Sequence, residues 1–164
     1  MSARSTPRRL AGDALALGIP FAVGTAAGII TAQSIPTWYG TLQKPAWNPP
    51  EALFGPIWAA LYLLMGVALV LVRHSPVDQR SRRRAEAIFG LQLALNFAWT
   101  MIFFGGRSIS AGLVAVVLLW ASVVATIREF GRVRRSAALV LLPYLAWATL
   151  AVVLNAEIWR LNAG

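Results

Sequence analysis

The chain contains no cysteine and a single histidine, His74. The first absence excludes a disulfide framework, a thiolate metal site and a catalytic thiol. The second excludes a histidine-rich metal centre. Because His74 lies in an arginine-rich linker, a histidine-ligated haem buried between apolar segments is excluded as well. No Ser–His–Asp constellation is available inside an apolar run. The reading therefore expects no metal and no obligatory cofactor. Charge is scarce too: 13% of the 164 residues are charged, and only six are acidic. No carboxylate stands at the centre of an apolar run, since Glu86 and Glu157 fall near ends, which argues against a proton-coupled transporter.

Apolar surface, by contrast, is abundant. The chain is 58% hydrophobic, with a mean hydropathy of +0.64, beyond the range of ordinary soluble domains. Charge is almost absent from five windows, 10–34, 52–72, 85–106, 109–127 and 137–158. Each approaches the ~20 residues that cross a hydrocarbon core. Backbone groups in lipid must be hydrogen-bonded within their own segment, so these windows read as helices. The expected fold is an all-α integral membrane protein, a five-helix transmembrane bundle forming one domain over residues 1–164. The first window exceeds the ~7–15 apolar residues of a secretion signal and reads as a retained span. Within it, Pro20 predicts a kink, and Gly24 with Gly28 supplies the spacing that lets another helix approach closely.

The net charge of +9 raises nucleic acid as a partner, and its distribution excludes it. Arg4, Arg8 and Arg9 precede the first window, Arg73, Arg80, Arg82, Arg83 and Arg84 lie between the second and third, and Arg128, Arg132, Arg134 and Arg135 lie between the fourth and fifth. With five spans these twelve share one side, against Lys44, Arg107 and Arg160 on the other. The positive-inside rule then puts the N-terminus in the cytoplasm and the C-terminus outside. The basic clusters suit anionic lipid headgroups, and no module presents a helix to a DNA groove. A composition rich in Arg and Ala suggests a bacterial cytoplasmic membrane.

Between the first two windows runs Trp38-Tyr39-Gly40-Thr41-Leu42-Gln43-Lys44-Pro45-Ala46-Trp47-Asn48-Pro49-Pro50. Its prolines forbid a continuous helix, and its aromatic rings favour the membrane–water boundary. It reads either as an interfacial linker or as a stiff loop over the mouth of a cavity. In the third window Gln92, Asn96 and Trp99 share one helical face, and Gly90, Ala94 and Ala98 form a small-residue stripe on nearly the opposite one. The stripe predicts a helix–helix contact and, with it, a homodimer. The polar face has two readings, a pocket lining or hydrogen bonds between neighbouring helices.

The second window carries Trp58, Tyr62 and Met65 on one face, with Phe54 a turn earlier, and the fifth carries Tyr144, Trp147, Ala151 and Asn155. Aromatic stripes commonly serve packing alone. Here three helices and a loop all contribute large rings, and two helices add an amide. A mostly apolar cavity with a few polar groups suits a flat hydrophobic ligand.

The stretches WYGTLQKPAWNPP (38–50), FGPIWAALYLLMG (54–66), LQLALNFAWTMIFFGGRS (91–108) and PYLAWATLAVVLNAEIWRLN (143–162) resemble the TspO/MBR family, the tryptophan-rich sensory and translocator proteins. The resemblance covers nearly the whole chain after residue ~10. It implies a five-helix, usually dimeric membrane protein that binds porphyrins, such as protoporphyrin or haem, or other hydrophobic small molecules. It implies a pocket between helices 1, 2, 3 and 5, closed by the 38–50 loop and lined by Trp38, Trp47, Trp58, Tyr62, Asn96, Trp99, Trp147, Ala151 and Asn155. Lys44, Asn48, Asn96 and Asn155 are the candidate partners for porphyrin carboxylates. Tyr144 is not followed within five residues by Lys or Arg, so the family's sterol-recognition pattern is not met, which favours a tetrapyrrole. The implied roles are transport, sensing or regulation. The alternative is light- and oxygen-dependent porphyrin degradation, with Trp47, Trp58 or Trp147 as redox relay.

Overall fold

The computed structural model describes residues 6–162. Arg4 and the side chain of Arg8 lie outside the described residues. Helix α1 (Thr6–Ser34) passes through Pro20 and ends in a π-helical turn, Ile35–Tyr39. After the loop, a short 3-10 turn at Glu51–Leu53 opens α2 (Phe54–Arg73). Helix α3 (Gln79–Thr100) continues into a second π-helical turn, Met101–Gly105. Helix α4 (Ile109–Val133) comes next, and then α5 (Arg135–Val140) and α6 (Leu142–Asn162) share one span. These make five helical units long and apolar enough to cross a membrane, the shortest with 23 residues and the longest with 31.

The units are longer than the uncharged windows. A run of 27 residues, as in Gln79–Gly105, rises about 40 Å against a hydrocarbon core of about 30 Å. Arginine does not disrupt backbone hydrogen bonding, so helices continue past the apolar boundary into the headgroup region. The starts and stops have local causes. The Asp78 carboxylate accepts from the Ser81 amide at 3.0 Å and from the Ser81 hydroxyl at 2.6 Å, capping α3. These bonds hold the Asp78 carboxyl below its ordinary range. Gly106 donates to the Met101 carbonyl at 2.7 Å and Arg107 takes a positive φ of 53°, which closes the turn before α4. The fifth window, which reads in the sequence as one helix, breaks at Leu141. Pro143 has no N–H for the preceding turn, and pairing resumes with Leu145 donating to Leu141.

The helices close a ring in which α1 packs on α2, α2 on α5, α4 on both α5 and α6, α3 on α4, and α1 on α3. Helices α2 and α6 meet through aromatic side chains, Phe54 with Trp147 and Trp58 with Tyr144. Leu15, Ile19, Leu63, Leu91, Val114 and Val153 face outward as an apolar girdle that only lipid solvates well. Ion pairs gather at the ends. Arg73–Glu86 (3.9 Å) and Arg84–Glu129 (3.1 Å) join the arginine-rich end, where His74 Nε2 is also hydrogen-bonded to the Asp13 carboxyl group at 2.8 Å, and Glu157–Arg160 (2.6 Å) lies at the other. The Gly24 spacing is used inside the chain: a Cβ there would lie 2.3 Å from the Tyr62 ring, whereas Gly28 borders open space.

Candidate functional site

Two adjoining cavities occupy the half of the bundle nearest the loop. The inner one, about 30 Å³, is a narrow cleft walled by Phe54, Trp58, Trp99, Phe104, Trp147 and Asn155. Thr31 of α1, Tyr39 and Pro49 of the loop region, Phe103, and Leu150, Ala151, Leu154 and Ile158 of α6 complete it. The second, about 190 Å³, opens between α1 and α2 along Gly24, Gly28, Gly55 and Ala59, and Tyr62 lies at its side. The two share Thr31, Phe54, Trp58, Trp99 and Phe104. Small residues on both helices make this opening, since bulkier side chains at those positions would fill it.

The walls are built ring against ring. Trp58 lies 5.9 Å from Trp99 and 5.8 Å from Tyr62, and Trp99 stacks on Phe103 at 6.2 Å. Phe54 meets Trp147 edge-on at 6.0 Å. Edge-to-face and offset pairs at these separations each add about 0.5–1.5 kcal/mol beyond burial and fix ring orientation.

Below the rings lies a polar layer. Tyr62 donates its hydroxyl to Asn96 Oδ1 at 2.5 Å, Asn96 Nδ2 donates to the Tyr144 hydroxyl at 2.8 Å, and Gln92 Nε2 donates to the same hydroxyl at 2.6 Å. This joins α2, α3 and α6 through groups that are almost wholly buried. Of the two readings of the Gln92–Asn96 face, the structure displays bonding between helices. Both ends of the Asn96 amide are engaged there, so Asn96 supports the cavity from below and is absent from its walls.

The loop forms a roof. The Tyr39 hydroxyl donates to Asn48 Oδ1 at 2.9 Å, and Asn48 Nδ2 donates to the Pro49 carbonyl at 3.0 Å. Lys44 Nζ donates to the Tyr39 carbonyl at 2.8 Å, sits 4.6 Å from the centre of the Tyr39 ring and pairs with Glu51 at 3.6 Å.

The structure thus brings Trp58, Tyr62, Trp99, Trp147, Ala151 and Asn155 to the cavity walls. Trp38 packs behind Phe103 at 5.3 Å, outside the wall itself. Trp47 is 48% exposed on the loop surface and does not reach the cavity. Lys44 and Asn48 direct their polar groups into the loop. Tyr39, Pro49, Phe103 and Phe104 line the cavity without being marked as lining by the sequence. The aromatic pair stands at i+4 and i+5 from Trp99, a usable signal, and Tyr39 adjoins Trp38. The stripe residues Gly90 and Ala94 are exposed on the outer surface of the chain, and a Cβ at Gly90 meets nothing.

Fold and site define a five-helix membrane protein whose aromatic cavity is lidded by its first interhelical loop. The TspO/MBR family model matches residues 16–160. The chain is 42% identical over 149 residues to the "Tryptophan-rich protein TspO" of Chlorobaculum tepidum, covering 91% of this chain and 94% of that one. It is 39% identical to the "Tryptophan-rich sensory protein" of Cereibacter sphaeroides, over 76% of this chain and 77% of that one. It is 41% identical to the human "Translocator protein", over 77% and 76% respectively. The chain belongs to the TspO/MBR family, as its sequence motifs led us to expect.

Proposed function

We propose that the chain binds a porphyrin or a similar flat, hydrophobic molecule in the cavity beneath the 38–50 loop, and that it acts in the transport, sensing or regulation of that molecule at a membrane. The observation that carries this is the convergence of Trp58, Trp99, Trp147, Phe54 and Phe104 on one lidded apolar cleft. A planar π-system gains from stacking on such walls and from leaving water. The words "sensory" and "translocator" in the relatives' names support the role. Among the four expected carboxylate partners, Lys44 is the one that can exchange a partner, trading its long, partly exposed pair with Glu51 while keeping its bond to the Tyr39 carbonyl. Porphyrin carboxylates then sit at the roof, competing with Glu51. The arginine asymmetry supports a cytoplasmic N-terminus and an external C-terminus, and a bacterial cytoplasmic membrane is our reading of the setting.

The test is a titration of the purified chain with protoporphyrin, in the dark and then under light. Binding predicts saturable quenching of tryptophan fluorescence and porphyrin absorption bands that survive illumination. Light-dependent loss of those bands, abolished by replacing Trp58 or Trp147, would favour the degrading enzyme. Non-saturable quenching would remove the site.

A further inference from the structure

At the arginine-rich end of the bundle, three helices enclose a polar recess of about 480 Å³ that opens to the surroundings. Arg9 and Asp13 line it from α1, Arg73 and His74 from the end of α2, and Arg82 and Glu86 from α3. The aromatic cleft and its neighbouring cavity share none of these residues.

The charges in the recess are unequally committed. Asp13 is met by His74, whose Nε2 lies 2.8 and 2.9 Å from the two carboxylate oxygens. Glu86 faces Arg73 at 3.9 Å. Each carboxylate thus has a partner within the recess. Arg9 and Arg82, by contrast, pair with no carboxylate among the described residues. Two of the guanidiniums are nevertheless held in place. Arg82 Nη2 donates to the Ser75 carbonyl at 3.1 Å, which ties α3 to the turn after α2. Arg73 lies against α1 at Gly12, where a Cβ would stand 2.7 Å from its Nη2. Glycine at that position is what lets the guanidinium reach across. Three arginines against two carboxylates leave the recess net positive, with its surplus on Arg9 and Arg82.

The recess also lies where the apolar girdle gives way to charge. Leu10 follows Arg9 directly, and Leu17 and Phe21, at i+7 and i+11 from it, extend the same outward apolar stripe along α1. A planar guanidinium fork matches the oxygens of a phosphate in pairs. We propose that the recess is a phosphate site, taking a phosphate whose charge no attached ammonium cancels. Arg9 and Arg82 bind its oxygens, and Arg73 trades its long contact with Glu86 for a shorter one to the ligand. An anionic lipid supplies such a group with acyl chains to lay on the Leu10 stripe, and a free phosphate shares the same chemistry.

The test titrates the full-length chain in detergent with phosphatidic acid or phosphatidylcholine in mixed micelles, and separately with inorganic phosphate against chloride of equal ionic strength. Salt is held at about 0.5 M to screen attraction between exposed charges. Affinity is read from the concentration dependence of the melting temperature. We expect phosphatidic acid to bind roughly tenfold more tightly than phosphatidylcholine, and Arg9→Gln and Arg82→Gln each to weaken it by roughly tenfold. Arg83→Gln removes the same charge from an exposed position outside the recess and should leave affinity nearly unchanged. If Arg82→Gln does not fold, because it also loses the Ser75 bond, Arg9→Gln against Arg83→Gln decides. Stabilisation by inorganic phosphate that depends on Arg9 and Arg82 would support the site and make its ligand a soluble phosphate. Equal affinities for the two lipids, equal losses from Arg9→Gln and Arg83→Gln, or no stabilisation by either phosphate source would overturn the proposal.

Discussion

Asn162 and Gln43 are joined by a reciprocal pair of hydrogen bonds: the Gln43 amide donates to Asn162 Oδ1 at 3.0 Å, and Asn162 Nδ2 donates to the Gln43 carbonyl at 2.9 Å. Residues 119 apart in sequence thereby fasten the roof of the cavity to the last turn of α6. Asn162→Ala removes both bonds at an exposed site. Ligand dissociation should quicken several-fold in stopped-flow fluorescence, on the basis of about 1 kcal/mol per bond. The melting temperature in detergent should hardly move. An unchanged dissociation rate would mean that the roof does not gate the cavity.

The Tyr144 hydroxyl serves two amides at once, those of Gln92 and Asn96. Tyr144→Phe strands both, at about 1–3 kcal/mol for each donor. Tyr62→Phe strands only Asn96 Oδ1. Thermal or denaturant unfolding should therefore rank wild type above Tyr62→Phe, and Tyr62→Phe above Tyr144→Phe. The reverse order would mean that the hydroxyls are satisfied by other means.

Gly24→Ala places a methyl group against the Tyr62 ring, where the ideal position is 2.3 Å away. Overpacking of this kind costs about 1–3 kcal/mol. Gly28→Ala, one turn on, meets open space and should hold or raise stability, by up to about 1 kcal/mol from helix propensity. The pair of melting curves checks that Gly24, and not the glycine spacing as such, sets the α1–α2 contact.

The outward stripe of Gly90, Ala94 and the half-buried Ala98 supports our proposal of a homodimer through α3, because small side chains let two backbones approach. Gly90→Leu should shift the detergent-solubilised species toward monomer in light scattering. Ligand affinity should persist, since the cavity lies on another face. A dimer that survives the change places the contact elsewhere.

Much of the cavity is legible in the sequence because helical periodicity is faithful inside a regular helix. Trp58 with Tyr62, and Trp147 with Ala151 and Asn155, face the same space as their spacing demands. Legibility fails where the helix is irregular. The π-helical turns at Ile35–Tyr39 and Met101–Gly105 add a residue to the turn and rotate the downstream side chains, so the contributions of Tyr39 and Phe104 escape a count by 3.6, whereas Phe103, at i+4 from Trp99, keeps to it. The break at Leu141 is visible only as Pro143. The family resemblance puts Trp47 at the site, whereas the loop folds with that ring outward. The polar roles are least legible. Asn96 and Asn155 look alike in a helical wheel, and only packing makes one a saturated strut and the other a free acceptor.

The central claim, a specific aromatic site for a flat ligand, is tested most directly by comparing protoporphyrin affinity for Trp147→Ala and Trp120→Ala. Trp147 walls the cleft, whereas Trp120 lies outside it and donates to the Thr149 hydroxyl at 2.9 Å. Loss of a stacked ring and its burial predicts binding weaker by roughly tenfold or more for Trp147→Ala, and nearly unchanged binding for Trp120→Ala. Equal affinities for the two variants would mean that porphyrin partitions into the micelle, and would contradict the site.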